Sequence, residues 1–491
     1  MNDQKKKDDS FMPKPRVAIV LGNTFAVRNT FYTPVFSELI SRRDLDIAIL
    51  TPSEHDQKVI QDTGAEHLSW FLLHQPLANI GFGHGGFRAA GPRLAQRICM
   101  RPFLTIAGFG NLAYRFNELQ RFVMHAQKKK LPHARRVREA QAGNFLDQAL
   151  GWPFPNSRLF FNLLYKMYYA TWYSEPSVEA FFDSFQPDRV VLHPVQVECL
   201  RPYNTAARRR RIPLLGIVGS WDQPTTKGPI CPGLSKIAVQ SENMSRELQR
   251  YHGFRQDQIV VTGWPQMDYY KTPGVLKPRD EFLAELGLSE KHRYVLLAGY
   301  SARLGAHEPS IASHLVNFLK RHELTKDLCL IIRPHPKDGL YEKRFGHLRN
   351  PPKVVVLQAE WGRLDFLANL LYHGEVLLST GGTISLDAIA LDTKVINLAF
   401  DGDLHVPSAE SVGELFKSEH YSAVVETRGV KLVHSYAQLE DALINYLRHP
   451  NLDQEGRQRC LREQLHPFDG HSSHRLVEFI AGQWLESNGV V

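Results

Sequence analysis

The chain has 491 residues, of which 43% are apolar and 22% are charged, and its formal net charge is +8. This length exceeds what one ordinary core accommodates, so two large domains are expected, with the composition of a soluble globular protein. No stretch approaches the roughly 20 apolar residues that span a bilayer. The five cysteines are far apart and lack CxxC spacing, which indicates a reducing cytoplasm and no structural zinc.

The first half of the chain alternates apolar runs with helical patterns. The charged N-terminus has no apolar segment behind it, which predicts a disordered tail over 1–15 and neither a signal peptide nor an anchor. An apolar run ending at Gly22 predicts a strand, Thr30–Arg42 predicts a helix, and Asp46–Pro52 predicts a second strand. This βαβ order implies a parallel sheet covered on both faces. Further strands are predicted over 188–194, 213–221, 235–241 and 258–265, which completes a Rossmann-like N-terminal domain over 16–270.

A long helical insertion is predicted within this domain, at about 85–187. Its first half is strongly basic over 88–138, including a run of lysines at 128–130. A solvated helix face, nucleic acid, an anionic membrane surface or an acidic substrate held near a membrane would all suit this charge. Because no RRM, KH, helix-turn-helix or zinc-finger pattern accompanies it, no nucleic acid partner is expected, and an anionic membrane surface is the favoured functional partner.

The second half repeats the alternation and predicts a second doubly wound α/β domain over 279–470. Its five apolar runs are YVLLAGYS, LCLIIRPHP, KVVVLQ, EVLLST and KVINLAF, and helical patterns such as His307–Arg321 and Arg363–His373 separate most of them. Residues 271–278, with two prolines and one glycine, predict the linker. The amphipathic pattern His471–Leu485 predicts a helix within 471–491 that packs back on the first domain. The predicted fold class is therefore α/β, with two Rossmann-like domains facing across a cleft where ligands bind.

The stretch Glu375–Asp403 predicts the most informative ligand site. A buried strand ends there, two glycines follow, and a helix begins. The glycines let the backbone approach a ligand, and the free N–H groups and positive dipole end of the helix favour an anion. Hydroxyl groups surround the turn, and an aspartate one turn into the helix is suited to accept hydrogen bonds from a ribose. The alternative is an ordinary strand-to-helix turn with a Ser/Thr cap. The residues predicted to bind this anionic ligand, which would be the donor substrate of a transfer reaction, are Ser379, Thr380, Gly381, Gly382, Thr383, Ser385 and Asp387.

Two further strand ends in this domain carry cationic residues. The loop Ile331–Lys337 holds Arg333, His335 and Lys337, three potential cations that suit a diphosphate. The alternative for His335 is that it only caps the strand end. The loop Ala298–Arg303 adds small residues and Arg303. Together these loops predict a nucleotide diphosphate. The chain lacks GxxxxGK[ST], and it lacks GxGxxG after its first strand, which counts against a kinase and a dehydrogenase.

In the first domain, the loop 219–228 follows an apolar strand and carries Asp222. A carboxylate at this strand end would face the predicted cleft and could take the proton from an attacking hydroxyl as a general base. The alternative is an aspartate that stabilises the turn.

The order of four segments resembles that of a known group of enzymes. The segments are SWDQPTTKG, SKIAVQSENMSRELQRYHGFRQDQIVVTGWPQMDYY, RPHP and STGGTISLDAIALDTKVINLAFDGD. Over Pro213–Asp403 the chain resembles the GT-B transferases of bacterial surface polysaccharides and teichoic acids, including the CDP-glycerol glycerophosphotransferases and the capsule-type glycosyltransferases. The resemblance implies the GT-B fold, and it implies that Arg333 and His335 contact the donor phosphates.

One motif departs from this pattern. In the glycerophosphotransferases it reads like WHGTPLK, with the histidine implicated in catalysis. Trp221 and Lys227 match this motif, but Asp222 stands at the histidine position, which counts against glycerophosphate transfer and suits an inverting glycosyl transfer. The segment 23–29 is similar to the acceptor-side loop of related transferases. The acceptor-side residues that the resemblance implies are Asn23, Arg28, Asn29 and Lys227.

We therefore expect a glycosyltransferase that moves a sugar from a nucleotide-sugar donor to a cell-surface glycan or a lipid-linked acceptor by single displacement. Asp222 would be the base, and His335 would act at the leaving diphosphate. Fixed cations and the helix dipole can stabilise that charge, so no metal and no cofactor are expected, although Asp401 and Asp403 have the DxD spelling of metal-dependent transferases. The expected location is the cytoplasm, extending to the inner face of the plasma membrane. A CDP-glycerol-type polyol-phosphate transferase, a non-hydrolysing UDP-sugar 2-epimerase and a non-catalytic polysaccharide-assembly protein remain open as alternatives.

Overall fold

Two parallel sheets organise the chain. The structure is a computed structural model that describes residues 13–73, 175–196, 198–226, 230–300, 302, 305–407 and 411–483. Within these ranges one sheet has seven strands and the other has six, and each pair of neighbouring strands is parallel. The strands coincide with the apolar runs of the sequence because strands of a parallel sheet are buried on both faces.

The first sheet has the order β3-β2-β1-β4-β5-β6-β7. Its strands are β1 (Arg16–Leu21), β2 (Asp46–Thr51), β3 (Leu68–Leu72), β4 (Arg189–His193), β5 (Leu214–Ile217), β6 (Lys236–Val239) and β7 (Ile259–Val261). The order reverses between β1 and β4, and this reversal opens a crevice at the carboxyl ends of the two strands.

Helices cover the first sheet and follow its strands. They are α1 (Thr24–Phe31), α2 (Pro34–Ser41), α3 (His55–Gln61), α4 (Pro176–Phe185), α5 (Arg201–Arg209), α6 (Gln223–Thr226), α7 (Glu242–Glu247) and α8 (Pro265–Asp268). The single helix predicted over Thr30–Arg42 was wrong, because the chain breaks at Thr33 and restarts at Pro34. Proline has no N–H to continue the preceding helix and disfavours helical geometry in the residue before it.

The second sheet has the order β10-β9-β8-β11-β12-β13 and reverses between β8 and β11. Its strands are β8 (Arg293–Ala298), β9 (Leu328–Arg333), β10 (Val354–Val356), β11 (Val376–Ser379), β12 (Lys394–Leu398) and β13 (Lys431–Val433). The helices of this half are α9 (Arg279–Glu285), α10 (Glu308–Arg321), α11 (Tyr341–Phe345), α12 (Leu364–Tyr372), α13 (Thr383–Ala390), α14 (Glu419–Glu426), α15 (Tyr436–Arg448) and α16 (Gln454–Cys460).

The last helix, α17 (Ser472–Ala481), packs on the first domain although it follows the second in sequence. Its apolar face, including Val477 and Phe479, is buried with the core of the first sheet. The carboxylate of Asp268 accepts the N–H groups of Ser472 and Ser473 at 3.2 and 2.6 Å, which satisfies two donors at the start of the helix. The chain therefore crosses between the domains a second time near its C-terminus.

The predicted fold class, two parallel-sheet Rossmann-like domains, is confirmed. Of the predicted insertion at about 85–187, only the part from 175 onward lies within the described residues, where it contains α4. The basic stretch 88–138 lies outside them. In the part of the chain that the structure describes, no helix is long and apolar enough to cross a membrane.

Candidate functional site

Three loops at the carboxyl edge of the second sheet meet where its strand order reverses. They follow β8, β9 and β11, which are neighbours in the sheet. The ring of Tyr300, in the first loop, lies 6.2 Å from the ring of His335 in the second. A Cβ built on Gly382, in the third loop, would lie 3.6 Å from the Tyr300 ring. Because open α/β sheets bind ligands at this reversal, the three loops form one candidate site.

The loop after β11 is shaped by two glycines and a serine. Gly381 and Gly382 have φ angles of +116° and +96°, a region that side chains with a Cβ adopt only at a cost. The Ser379 hydroxyl donates to the carbonyl of Gly381 (3.1 Å) and accepts its N–H (3.0 Å), which fixes the turn. Helix α13 then begins at Thr383, and no side chain of the described residues caps its N-terminus. Its first N–H groups and its positive dipole end are therefore available to an anion.

Two more hydroxyls of this stretch, those of Thr380 and Ser385, face the protein interior. Thr380 donates to Oε1 of Glu308 (2.8 Å). The Ser385 hydroxyl accepts hydrogen bonds from Tyr421 (3.0 Å) and from the amide of Asn397 (3.0 Å). Thr380 and Ser385 are both buried, so their hydroxyls support the turn from behind. Their contact with a donor stays a prediction.

Arg333 is a largely buried cation. Within the described ranges its guanidinium makes no hydrogen bond and no ion pair. Burial lowers its pKa to about 10, with the Asp387 carboxylate acting in the opposite direction and Arg28 in the same direction. Arg333 therefore keeps its charge at neutral pH, and a bound phosphate would supply the partner that the described residues do not.

His335 is neutral rather than a third cation. Its Nδ1 accepts the N–H of Lys337 at 3.0 Å, and burial, together with the charges of Arg333 and Lys337, lowers its pKa to about 4. The proton of the neutral ring is therefore on Nε2, which can donate to a phosphate oxygen. The sequence pattern counted three cations in this loop, whereas the desolvated position of the histidine leaves two.

Asp387 connects the two domains. Its Oδ1 accepts the hydroxyl of Tyr270 (2.8 Å) and the amide of Gln266 (3.0 Å), and Gln266 Oε1 accepts Nη2 of Arg28 (3.1 Å). Burial raises the pKa of Asp387, and the charges of Arg28 and Arg333 act against that rise. We call Arg28, Gln266, Tyr270, Arg333 and Asp387 the interdomain cluster. With two guanidinium groups and one carboxylate, the cluster has an excess of positive charge.

The ring of Trp361, at the rim of the site, contacts two cationic side chains. The Cζ of Arg28 lies 5.7 Å from its ring centroid and Nζ of Lys337 lies 5.3 Å from it. The ring of His335 meets it edge-on at 5.7 Å. Arg28, which the resemblance assigned to the acceptor side, thus reaches across to Trp361 in the second domain. Cation–π contacts of this kind hold a side chain in position without neutralising its charge.

The remaining acceptor-side residues have different surroundings. Asn23 caps α1, because its Oδ1 accepts the N–H of Ala26 at 2.9 Å. The amide of Asn29 lies 3.5 Å from the carbonyl of Gly219, at the start of the loop that follows β5. Lys227 and Arg303 lie outside the described residues.

Asp222 lies half-buried in the turn between β5 and α6. Its neighbours contact α14 of the second domain: the ring of Trp221 meets that of His420 at 4.8 Å, and the Thr225 hydroxyl lies 3.3 Å from Nδ1 of His420. The predicted base is therefore at a contact between the domains, and its catalytic role stays a prediction.

A cavity of about 30 Å³ lies between the strand reversal of the first sheet and the start of α13. Its lining includes His193, Gly219 and Ser220 from the first domain and Thr383 from the second. The sequence reasoning did not assign His193, although its position at the end of a predicted strand, directly before a proline, was visible. It also missed Gln266 and Tyr270, because residues beside a predicted linker carry no pattern that indicates a site.

A second cavity, of about 130 Å³, adjoins Arg333 and is bounded by the loop after β10, including Gln358 and Glu360. Its position extends the candidate site beyond the three converging loops toward the edge of the second sheet. The cavity lies on the side of Arg333 away from β8, because β10 is the edge strand next to β9.

The aspartates with the DxD spelling have structural partners. Asp401 accepts the N–H of Val412 (2.9 Å), and Asp403 accepts the hydroxyl of Tyr436 (2.9 Å). Both carboxylates therefore tie the loop after β12 to neighbouring segments. Across the described ranges, no group of three or more His, Cys, Asp or Glu side chains is arranged to hold a metal ion.

Comparison with solved structures identifies the fold. A putative UDP-N-acetylglucosamine 2-epimerase from Listeria monocytogenes matches with a TM-score of 0.57 and 12% identity, over 98% of this chain and 99% of that one. The S. aureus MnaA–UDP structure matches at 0.55 and 12%, over 96% and 97%. The Methanocaldococcus jannaschii UDP-GlcNAc 2-epimerase in complex with UDP-GlcNAc and UDP matches at 0.50 and 14%, over 95% and 99%. No family model and no curated protein matches the sequence.

These similarities show the GT-B type of fold, as expected from the sequence, and at this identity they show the fold alone. They do not extend to a relationship with the CDP-glycerol glycerophosphotransferases, which stays a prediction.

Proposed function

We propose that this protein is an enzyme of nucleotide-sugar metabolism, and specifically a glycosyltransferase with its donor site in the second domain. The observation that carries the proposal is the excess positive charge of the interdomain cluster beside an uncapped helix N-terminus. A diphosphate supplies the missing negative charge, and its oxygens suit both the Arg333 fork and the N–H groups at Gly382 and Thr383. The ligands named for the similar solved structures, UDP and UDP-GlcNAc, support this ligand class.

The chemistry follows from where negative charge develops. In a single displacement, the bond between the anomeric carbon and the β-phosphate oxygen breaks, and the leaving diphosphate gains charge. Arg333, the Nε2–H of His335 and the dipole of α13 are fixed before the reaction, so they stabilise that charge without reorganising. Asp387, with only its Oδ1 bonded among the described residues, has Oδ2 available for a ribose hydroxyl. No metal is needed in this scheme.

For the acceptor, the proposal names only a class of molecule. A cell-surface glycan or lipid-linked acceptor follows from the sequence resemblance, with Asp222 as a candidate base. An anionic membrane surface, engaged through 88–138, would bring the enzyme to such an acceptor.

A second candidate is a UDP-sugar 2-epimerase, which the solved structures with TM-scores of 0.50 to 0.57 favour. Epimerisation at a ring carbon requires one group to remove a proton and another to return it on the opposite face. Among the described residues that line the cavity at α13, none is acidic. The described lining supplies one side chain that can take a proton, His193, whereas epimerisation needs two such groups and a single displacement needs one.

An assay with UDP-, GDP-, CMP- and CDP-linked donors separates the two activities. The purified protein is incubated with each donor, with and without a membrane-derived glycan acceptor, and products are followed by NMR and mass spectrometry. We expect release of the nucleotide product that depends on acceptor and persists in EDTA. Conversion of a UDP-sugar to its C2 epimer without acceptor would establish the epimerase instead, and loss of turnover in EDTA would overturn metal independence.

A further inference from the structure

The cavity at α13 contains one ionisable side chain. Among its described lining residues, which include Asn29, Gly219, Gln240 and Thr383, only His193 can gain or lose a proton near neutral pH. Asp222 lies two residues beyond Ser220 and is not part of the lining. The base predicted from the sequence, Asp222, therefore does not line this cavity, whereas His193 does.

The histidine is oriented with one nitrogen anchored. It ends β4, at the strand reversal of the first sheet, and is 4% exposed. Its Nδ1 lies 3.4 Å from the carbonyl oxygen of Ile217, which can only accept, so Nδ1 carries the proton and donates. Nε2 then has its lone pair free. Burial lowers the pKa of this imidazole to about 4, so the ring is neutral at physiological pH and the lone pair of Nε2 is unprotonated.

Gly219 lies against the ring of His193 beside the cavity. A Cβ built on Gly219 would lie 2.9 Å from Cβ of Pro194, 3.3 Å from Nε2 of Gln223 and 3.4 Å from Cε1 of His193, the ring carbon between Nδ1 and Nε2. A larger side chain at position 219 would therefore crowd this part of the ring. A cavity of about 30 Å³ has room for one water-sized group. A hydroxyl of an acceptor, or a water molecule, is the group of that size that needs a base.

We propose that His193 is the general base of the transfer reaction, and this proposal rests on the glycosyltransferase function proposed above. Nε2 takes the proton of the acceptor hydroxyl while the hydroxyl oxygen bonds to the anomeric carbon. The bond between that carbon and the β-phosphate oxygen breaks, and the nucleoside diphosphate leaves with the electron pair. The imidazolium then releases its proton to solvent. Thr383, at the first turn of α13, lines the same cavity, so the base and the proposed phosphate site lie on either side of one small space.

The test compares His193→Ala, His193→Gln and Asp222→Asn with the wild type, using whichever donor the wild type turns over. His373→Gln is the matched control, because His373 is also held by a backbone carbonyl, at 3.0 Å from Lys277, but lies outside the cleft. We expect both His193 variants to lose about 10²-fold or more in kcat, in the range typical of general base catalysis, with UDP affinity changed less than about threefold. His193→Gln keeps an amide donor for Ile217, so it carries the test if the alanine variant does not fold.

Chemical rescue distinguishes a catalytic base at position 193 from a residue that only supports the structure. In His193→Ala, added imidazole should restore part of the lost turnover, and substituted imidazoles of higher basicity should restore more, since the exogenous base takes the same proton. Retention of kcat within about threefold in both folded His193 variants, or loss in Asp222→Asn alone, would overturn the proposal and leave the transferase function intact. Absence of transfer by the wild type with every donor would instead refute the proposed function itself.

Discussion

At the scale of single residues, Glu308 has the most unusual environment behind the candidate site. Its Oε1 accepts the N–H of Tyr300 (2.7 Å) and the hydroxyl of Thr380 (2.8 Å), so it connects the loops after β8 and β11. Its Oε2 accepts from Arg344 (3.0 Å), which also pairs with Asp338 in the loop after β9. One arginine thus serves two buried carboxylates. Burial raises the pKa of Glu308 from 4.5 to about 7, against these hydrogen bonds and the arginine charge.

This environment predicts a pH-dependent stability. A folded-state pKa above the unfolded value means that the folded protein binds the proton more tightly. The contribution of Glu308 to the free energy of unfolding is therefore greatest below about pH 4.5 and is lost as the pH rises through about 7. Glu308→Gln keeps the oxygen that accepts from Tyr300 and Thr380 and removes the titration. We expect the unfolding free energy of the wild type, minus that of the variant, to fall between pH 5 and 7 and to level off above.

Urea denaturation at several pH values measures this difference. Glu342→Gln is the control, because Glu342 is exposed and paired with Arg349, which holds its pKa below the usual range. Its difference from the wild type should be flat above pH 5. A pH-independent difference for Glu308→Gln would contradict the assigned protonation.

The sequence indicated candidate residues, whereas their charge states and orientations depend on the fold. The pattern at the end of β9 singled out Arg333 and His335 as candidates, but the loss of charge on His335 depends on burial and on neighbours that the fold supplies. Likewise, Ser379, Thr380 and Ser385 were recognised as hydroxyls near a turn. Which way a hydroxyl faces is decided by partners distant in sequence, such as Glu308 and Tyr421.

At the scale of elements, the turn that leads into α13 is the central feature. Gly382 has φ +96° and ψ −179°, a conformation essentially restricted to glycine. Gly382→Ala should destabilise the fold by about 1–3 kcal/mol and should also weaken UDP binding, because the strained turn would rotate the N–H groups away from the phosphate. Chemical denaturation and calorimetric titration measure the two effects.

A second glycine variant, Gly287→Ala, is the control that distinguishes the effect of backbone strain from an effect on nucleotide binding. Gly287 has φ +70° and no atom within 4 Å of an added Cβ, and it ends α9 outside the cleft. Gly287→Ala should cost roughly 1 kcal/mol through backbone strain, with UDP affinity unchanged. Equal affinity in both variants would show that the turn does not contact the nucleotide.

The sequence predicted strands better than it predicted helix boundaries. Buried parallel strands are short continuous apolar runs, so the five apolar runs of the second half predicted β8 to β12. The division of α1 from α2 depended on Pro34, a local signal that the apolar periodicity across it concealed.

At the scale of the whole molecule, contacts between the domains complete the site. Arg28 from the first domain, Gln266 and Tyr270 before the second domain, and Asp387 within it form one hydrogen-bonded cluster. Sequence analysis predicted both domains and a cleft between them. It could not predict which side chains meet across the cleft, because such contacts depend on how the two sheets are placed relative to each other.

The central claim is that this cleft binds a nucleotide-sugar donor through its excess positive charge. Calorimetric titration of UDP and of UDP-, GDP-, CMP- and CDP-linked donors into the wild type and Arg333→Gln tests it most directly. Arg349→Gln, which alters an exposed arginine paired with Glu342, is the control. We predict that at least one nucleotide binds the wild type and the control alike, and that Arg333→Gln weakens its binding about tenfold or more, the loss of about 1.4 kcal/mol. Absence of binding by every nucleotide, or equal affinity in Arg333→Gln, would contradict the claim.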